Sequence, residues 1–194
     1  MKKKVLILSG SPRKGGNSDL LCDEFMRGAI EAENDVEKIR VAEKKVSFCS
    51  ACYYCRQSGG VCAKKDDMAD ILQKMVDADV IVLSSPVYFY SIDAQMKALI
   101  DRTLARWTEV KNKKFYYIIT CADTDKAAQE TTLACFRGYA DCVEGARKRV
   151  SSGGPECTSP ERSKRVLSLC RRMIWERLEG SSGNPYLIFL LRSV

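Results

Sequence analysis

The sequence predicts an α/β fold, a three-layer sandwich in which helices cover both faces of a parallel sheet. Three short runs are almost wholly apolar, at residues 5–8, 80–83 and 115–119. Runs of this length and composition are typical of strands that are buried on both faces of a parallel sheet. Segments with helical periodicity lie between them, and strand–helix alternation favours this architecture. A chain of 194 residues is long enough for one domain with a full core.

The predicted elements begin with a buried strand at residues 4–9. Residues 17–33 show helical periodicity, and residues 35–41 alternate apolar and polar side chains, as in a strand nearer the sheet edge. We expect one face of this first helix to be buried. The apolar side chains on that face are Leu20, Leu21, Phe25 and Ile30.

The alternation resumes after a cysteine-rich segment at residues 48–65. Helical periodicity predicts three further helices, and apolar runs predict two further buried strands. The helices cover residues 67–77, 91–107 and 127–146, and the strands cover residues 79–84 and 114–121.

The loop after the first strand, SGSPRKGGNS at residues 9–18, has the composition of an anion site. Free backbone N–H groups and the helix dipole favour a negative group where a strand turns into a helix. Hydroxyl donors and positive side chains add to this; they are Ser9, Ser11, Ser18, Arg13 and Lys14. The loop contains neither GxGxxG nor GK[ST], which indicates the phosphate of another kind of cofactor. The alternative is an ordinary strand–helix connection with Asn17 or Ser18 as N-cap.

A second loop, SSPVYFYS at residues 84–91, follows another buried strand. The carboxyl ends of parallel strands lie at one sheet edge, so both loops should lie near the topological switch point. Because Pro86 has a fixed φ, we expect the N–H groups of Val87, Tyr88 and Phe89 to point outward to a planar heterocycle. The alternative is that these aromatic rings only cover the core. A phosphate site beside a ring site indicates a ligand with a phosphate at one end and a flat ring at the other, as in FMN.

Cysteines form the third motif, Cys49-x2-Cys52-x2-Cys55-x6-Cys62. Three cysteines at intervals of three, with a fourth shortly after, is a spacing used for [4Fe–4S] clusters. Reduced thiols without metal, or adventitious zinc, are the alternatives. The other cysteines in the body of the chain lack such spacing, and we expect Cys22 to be a buried small apolar side chain. The same expectation applies to Cys121, whereas Cys135 and Cys142 are unassigned.

The order of these three motifs resembles the NADPH-dependent FMN reductase family, and within it the iron–sulfur flavoprotein branch, over residues 3–146. The resemblance implies a flavodoxin-like fold and a homodimer or higher homo-oligomer. It implies that the FMN phosphate is held by Ser9, Ser11, Arg13, Asn17 and Ser18. It implies that the isoalloxazine is lined by Pro86, Val87, Tyr88 and Phe89, with residues 120–123 near its far edge. The implied ligands of a [4Fe–4S] cluster are Cys49, Cys52, Cys55 and Cys62.

Composition narrows the function further. The chain has no histidine, which excludes Ser-His-Asp and Cys-His catalysis, so demanding chemistry must come from a cofactor and no catalytic side chain is assigned. The net charge of +7 is concentrated in residues 147–194, with ten Lys/Arg against four Asp/Glu. The main body lacks a basic stripe, which argues against nucleic acid. No apolar run is long enough for a membrane span or a signal peptide, so we expect a cytoplasmic protein.

The expected function is transfer of electrons from NAD(P)H through bound FMN to a small acceptor such as a quinone, free flavin, nitro compound or metal ion. The alternative is an iron–sulfur flavoprotein that passes electrons between ferredoxin-like donors and FMN. A third hypothesis is a thiol- or metal-sensing module without flavin.

The C-terminal segment does not match this organisation. We assign residues 1–146 to the FMN-binding domain, with the cysteine-rich insert at 48–65, and residues 147–194 to an atypical tail. The flavodoxin-like fold needs a fifth strand and a last helix there, but the tail has no clear apolar period, and residues 185–191 are the one candidate for an improvised strand. A shift of reading frame is one explanation, because the other frame of residues 149–163 can encode the family-like GVIWGTGVYQPGEV. A divergent tail is the other.

Overall fold

The computed structural model describes residues 2–122 and 126–148. These residues form a parallel sheet with strand order β2-β1-β3-β4-β5. Its strands are β1 (Lys4–Ser9), β2 (Asp35–Arg40), β3 (Val80–Pro86), β4 (Lys114–Thr120) and β5 (Arg147–Lys148). The helices are α1 (Asn17–Glu31), α2 (Tyr54–Gln57), α3 (Met68–Asp77), α4 (Ala94–Arg102) and α5 (Lys126–Asp141). The predicted α/β class and parallel sheet are therefore confirmed.

The sheet separates two apolar layers. Each central strand sends alternate side chains to opposite faces, as the period of a strand requires. On one face α1 covers β1 and β3, through a cluster that includes Leu21, Cys22, Phe25, Val5, Ile7 and Val82. On the other face α3, α4 and α5 pack, through a cluster that includes Ile71, Met75, Leu99, Phe136, Leu8 and Leu83. The strands that were predicted to be buried on both faces are so, and the two clusters hold the loops at the carboxyl ends of β1 and β3.

The predicted buried face of α1 is wrong at both ends. Leu20 is 42% exposed and Ile30 is 51% exposed. The buried stripe instead consists of Leu21, Cys22, Phe25 and Ala29. Leu20 and Ile30 lie about 80–100° around the helix from the nearest member of this stripe.

Two helices end five residues earlier than the periodicity predicts. Helix α4 ends at Arg102 rather than at residue 107, and two 3₁₀ turns, Thr103–Ala105 and Trp107–Glu109, follow it. Arg106 has φ −142°, which breaks the helical path between these turns. Helix α5 ends at Asp141 rather than at residue 146. In both cases apolar periodicity continues beyond the last α-helical hydrogen bond, because turns also bury side chains.

Strand β5 is a two-residue strand at the edge of the sheet, where Arg147 pairs with Lys114 and Lys148 pairs with Phe115 of β4. The start of a fifth strand thus lies at the predicted domain boundary. The rest of the tail, on which the improvised strand and the frameshift hypothesis fall, lies outside the described residues. None of the helices among the described residues has the length and apolar character needed to cross a membrane.

Candidate functional site

The two predicted loops meet at the topological switch point of the sheet. Strands β1 and β3 are neighbours in register, with Ser9 opposite Ser84. The chain leaves β1 for α1 on one face and leaves β3 for α4 on the other, which opens a crevice between the two loops. The N–H of Gly10 donates to the carbonyl of Ser84 at 2.8 Å and joins the two loops at their base.

The first loop leaves the N-terminus of α1 available to an external anion. The N-cap residue is Gly16, which has no side chain to cap the helix. The alternative in which Asn17 or Ser18 caps α1 is therefore wrong. Gly15 has φ +68°, a left-handed conformation that glycine adopts without strain. An uncapped helix of 15 residues with a glycine turn before it has the donor set that binds phosphate.

The hydroxyl groups of the first loop are buried and engaged within the protein. Ser9 Oγ donates to Asp19 Oδ1 at 3.4 Å, and Ser18 Oγ lies 2.6 Å from Thr120 Oγ1 on β4. Ser11 Oγ donates to the carbonyl of Arg13 at 3.4 Å. The side chain of Arg13 is itself exposed at the rim. Of these predicted phosphate ligands, the three serines make hydrogen bonds within the protein. The Arg13 side chain faces solvent.

Asp19 contacts both the backbone of the first loop and two cations on β2. Its carboxylate accepts from Gly15 N–H at 2.9 Å and forms an ion pair of 2.6 Å with Lys38 on β2. Arg40 approaches the same carboxylate at 3.5 Å. Burial acts to raise the pKa of Asp19, but the hydrogen bonds from Lys38 and Gly15 and the two positive charges hold that pKa below its usual value. Asp19 is thus an anion that shapes the loop.

The second loop is a tight turn with two strained aromatic residues. Tyr88 and Ser91 exchange backbone hydrogen bonds of 2.9 and 3.0 Å. Between them, Phe89 and Tyr90 have φ +47° and +62°, a left-handed conformation that costs a non-glycine residue about 1–2 kcal/mol. The Phe89 side chain is fully exposed, at 101%. Strain of this kind with an exposed ring is typical of a ligand-binding turn.

The amides of this turn differ from the expectation. Val87 N–H donates to the carbonyl of Thr120 at 2.8 Å, and Tyr88 N–H donates to Ser91, so neither points outward. Among the described residues, only the amide of Phe89 is left of the three that were predicted to face a ring. Thr131 Oγ1 of α5 donates to the carbonyl of Tyr90 at 2.6 Å and anchors the turn to the helix. Thr120 lies beside the turn, since its carbonyl accepts from Val87 N–H, and Asp123 lies outside the described residues.

The two ends of the cysteine-rich segment are held together by hydrogen bonds and an ion pair. Asp66 accepts from Ser47 N–H at 3.0 Å and forms a bidentate pair with Arg102 of α4, at 2.7 and 2.9 Å. Asp67 accepts from Lys45 N–H at 2.7 Å. Residues before Cys49 and after Cys62 are thus held together, and the four predicted ligands lie in the closed segment between them.

The four cysteines of this segment are free thiols with differing exposure. Cys52 is exposed, and hydrogen bonds from the backbone N–H of Tyr54 and from the Ser50 side chain lower its pKa. In the described part of the chain, no three Cys, Asp or Glu side chains are grouped so as to hold a metal ion. Cys22 and Cys121 are buried as expected, and burial raises the pKa of the Cys22 thiol to about 11.

Three functional residues were missed from the sequence. Lys38 and Arg40 alternate along β2 and reach the loop from the neighbouring strand, and a period-2 basic pair on a predicted edge strand was their one signal. Asp93 is wholly buried between the two loops. Asp93 lies inside the helix that was predicted at residues 91–107, so the sequence did not single it out. In the structure α4 begins at Ala94 and Asp93 is its N-cap.

The chain is similar in sequence to a known protein family. A family model described as NADPH-dependent FMN reductase matches residues 3–143. An iron–sulfur flavoprotein of Methanocaldococcus jannaschii is 39% identical over 132 residues, which is 67% of each chain. One of Methanosarcina thermophila is 37% identical over 132 residues, which is 67% of this chain and 69% of that protein. One of Archaeoglobus fulgidus is 36% identical over 101 residues, only 46% of its length.

Solved structures share the fold. An NAD(P)H:quinone oxidoreductase from Methanothermobacter marburgensis has a TM-score of 0.65 at 15% identity, over 95% of this chain and 100% of that chain. An FMN-dependent NADH-azoreductase from Bacillus anthracis, solved in complex with FMN, has a TM-score of 0.65 at 15% identity, over 92% of this chain and 100% of that chain. At these identities the likeness establishes the flavodoxin-like fold, as the sequence predicted.

Proposed function

The chain belongs to the NADPH-dependent FMN reductase family of oxidoreductases, and on that premise we propose that it carries electrons from NAD(P)H through FMN to a small acceptor. The acceptor class is a quinone, free flavin, nitro compound or metal ion. The observation that carries the proposal is the uncapped N-terminus of α1 beside a strained, exposed aromatic turn at the switch point. An anion site and a ring site side by side fit FMN.

The donor set fits the phosphate end. The N-terminus of α1 supplies oriented N–H groups, and Arg13 and Lys14 supply positive charge at the rim. Asn17 and Ser18 lie in the first turn of that helix. Because Lys38 pairs with Asp19, its positive charge offsets the negative charge of that carboxylate. Asp19 therefore repels a bound phosphate less than an unpaired carboxylate would.

The second loop fits the ring end. Pro86, Val87, Tyr88 and Phe89 form its wall, with the free amide of Phe89 as a donor toward a ring carbonyl or nitrogen. FMN would supply the redox chemistry, taking a hydride from NAD(P)H and passing electrons to the acceptor. The protein's own residues bind, orient and shield, since no histidine is present for proton transfer. The open turn leaves a ring face for transient stacking of the nicotinamide and then of the acceptor.

The test is reconstitution of purified protein with FMN, followed by NAD(P)H oxidation with a quinone acceptor. We expect binding at micromolar FMN or better, and Arg13→Gln to weaken it about tenfold, because a charge-assisted hydrogen bond is lost. Arg27→Gln is the matched control, since Arg27 lies on the exposed side of α1 and pairs with Glu24. Protein that binds no FMN under any condition would contradict the proposal.

A second candidate is an iron–sulfur flavoprotein that exchanges electrons with a ferredoxin-like partner. Relatives of that name at 36–39% identity and the spacing of Cys49, Cys52, Cys55 and Cys62 favour it. The described thiols do not fit a cluster in their present arrangement, so the segment would have to rearrange around one. Iron and sulfide content after anaerobic reconstitution tests this, with Cys52→Ala as the variant and Cys142→Ala as the control. Absence of iron and sulfide from the wild type would eliminate the candidate.

Self-association belongs to the same proposal. The exposed rings of Phe89 and Tyr90 border the proposed flavin site, and a second copy of the chain would cover them. Light scattering with and without FMN tests the homodimer, and a monomer under both conditions would refute it. We also propose that the protein acts in the cytoplasm, where its free thiols stay reduced.

A further inference from the structure

Asp93 is a buried carboxylate that contacts both loops of the proposed site. Its side chain is fully buried, and none of the described Lys or Arg residues forms an ion pair with it. Ser85 Oγ donates to Asp93 Oδ2 at 2.6 Å, and the N–H of Asp93 donates back to Ser85 Oγ at 2.8 Å. Asp93 Oδ1 accepts from Met96 N–H at 3.0 Å and so caps α4. This carboxylate therefore fixes the second loop to its helix.

The same carboxylate lies directly against the backbone of the first loop. A Cβ built on Gly10 would overlap Asp93 Oδ2 and would lie 2.8 Å from Oδ1. Any side chain at this position would have to displace the carboxylate or the loop. Gly10 immediately follows β1 and begins the turn that leads to the N-terminus of α1. Asp93 and Gly10 thus set how closely the phosphate-binding loop approaches the aromatic turn.

A cap alone does not account for this residue. Serine caps a helix as well as aspartate does, and burial of a carboxylate without a counter-ion is unfavourable. Burial accordingly raises the pKa of Asp93, although the hydrogen bonds from Ser85 and Met96 oppose the rise. A longer side chain that reaches Ser85 and Gly10 is needed only if the two loops must be held at a fixed separation.

We propose that Asp93 is a positioning residue that fixes the spacing between the phosphate-binding loop at Gly10 and the aromatic turn at Ser85, and so selects a ligand that spans both, a flavin with a 5′-phosphate. The inference rests on the proposed function, because it concerns the same site. It predicts that the Asp93–Gly10 contact matters for FMN, which spans both loops. It matters much less for riboflavin, which lacks the phosphate and uses the aromatic turn alone.

The test compares FMN and riboflavin binding by flavin fluorescence in wild type, Asp93→Ser, Gly10→Ala and the double variant. Serine keeps the cap on α4 but does not reach the first loop. We expect Asp93→Ser and Gly10→Ala each to lower the FMN-to-riboflavin affinity ratio about tenfold or more, which is one unit in the logarithm of that ratio. Gly10→Ala should cost much less FMN affinity in the Asp93→Ser background, since the overlapping carboxylate is gone.

Two further variants complete the design. Asp93→Asn has the same shape and can donate to Ser85, whose hydroxyl can donate to the carbonyl of Pro86 at 2.7 Å instead. It should keep the affinity ratio within threefold of wild type, and Gly10→Ala alone tests the spacing if Asp93→Ser does not fold. Asp101→Ser is the control, because Asp101 is exposed on the same helix and pairs with Lys97.

The outcomes separate the two claims. Wild type that binds FMN, together with variants that change both affinities equally or neither, would overturn the positioning role and leave the proposed function standing. An identical effect of Gly10→Ala in both backgrounds would overturn it in the same way. Wild type that binds neither flavin would overturn both.

Discussion

Removing one partner of the buried ion pair that joins the ends of the cysteine-rich segment should destabilise the protein strongly. Asp66 and Arg102 are 8% and 2% exposed and make two hydrogen bonds with each other. Asp66 also accepts from the backbone N–H groups of Ser47 and Met68. We predict that Asp66→Ala destabilises the apoprotein by about 3–5 kcal/mol at pH 7, because it leaves the Arg102 charge buried without a counter-ion, with the Ser47 carbonyl at 2.8 Å as a neutral acceptor.

The pH dependence of stability gives an independent magnitude. Burial opposes ionisation of Asp66, but the Arg102 hydrogen bonds, the two backbone donors and the Arg102 charge lower its pKa from 3.8 to about 2. At 1.36 kcal/mol per unit, that lowering corresponds to roughly 2.5 kcal/mol. Because the folded pKa is depressed, this stability is present above pH 3.8 and is lost as the pH falls toward 2. The gap between wild type and Asp66→Ala should therefore narrow over that window.

Urea unfolding in the presence of a reductant, followed by circular dichroism at pH 7 and pH 2.5, measures both effects. Asp70→Ala is the matched control, because Asp70 is exposed and its 3.1 Å pair with Lys74 is a surface pair. That control should change stability by less than about 1 kcal/mol. A loss of stability below about 1 kcal/mol in Asp66→Ala at pH 7, or a difference from wild type that does not narrow in acid, would show that the Asp66–Arg102 pair is not needed for stability.

Three other perturbations test the proposed site. Lys38→Met should destabilise the apoprotein by about 2–3 kcal/mol in urea unfolding, because it leaves Asp19 with Arg40, at 3.5 Å, as its remaining cation; an unchanged midpoint would contradict this. Tyr90→Asn should stabilise the apoprotein by about 0.5–1 kcal/mol, since asparagine tolerates positive φ better, and a lower thermal midpoint would argue against strain at this residue. Phe89→Ala should weaken FMN at least tenfold in fluorescence titration if its exposed ring stacks on the ligand, and equal affinity would remove Phe89 from the site.

The sheet and the place of the site could be predicted because their signals are local. The apolar runs of β1, β3 and β4 are unbroken, and parallel strands bring the loops that follow them to one edge. The buried face of α1 was less predictable. Leu20 and Ile30 are apolar residues at the margin of the buried stripe of α1, and sequence periodicity alone does not separate margin from stripe.

The hydrogen bonds and ion pairs around the site could not be predicted, because they join residues that are far apart in the sequence. Ser18 meets Thr120 across 102 residues, and Asp66 meets Arg102 across 36. The positive φ of Tyr90 was hidden as well, since no glycine or asparagine marks it. Cysteine spacing identifies a possible donor set, whereas the arrangement of the thiols depends on how the loop folds.

FMN binding in the crevice between the two loops underlies every role proposed for this protein. The most direct measurement is an anaerobic absorbance spectrum of freshly purified protein, followed by heat release of the chromophore and titration of the apoprotein with FMN. We expect paired near-ultraviolet and blue bands, FMN in the supernatant and equimolar rebinding that Arg13→Gln weakens. A colourless protein that does not take up FMN would contradict it.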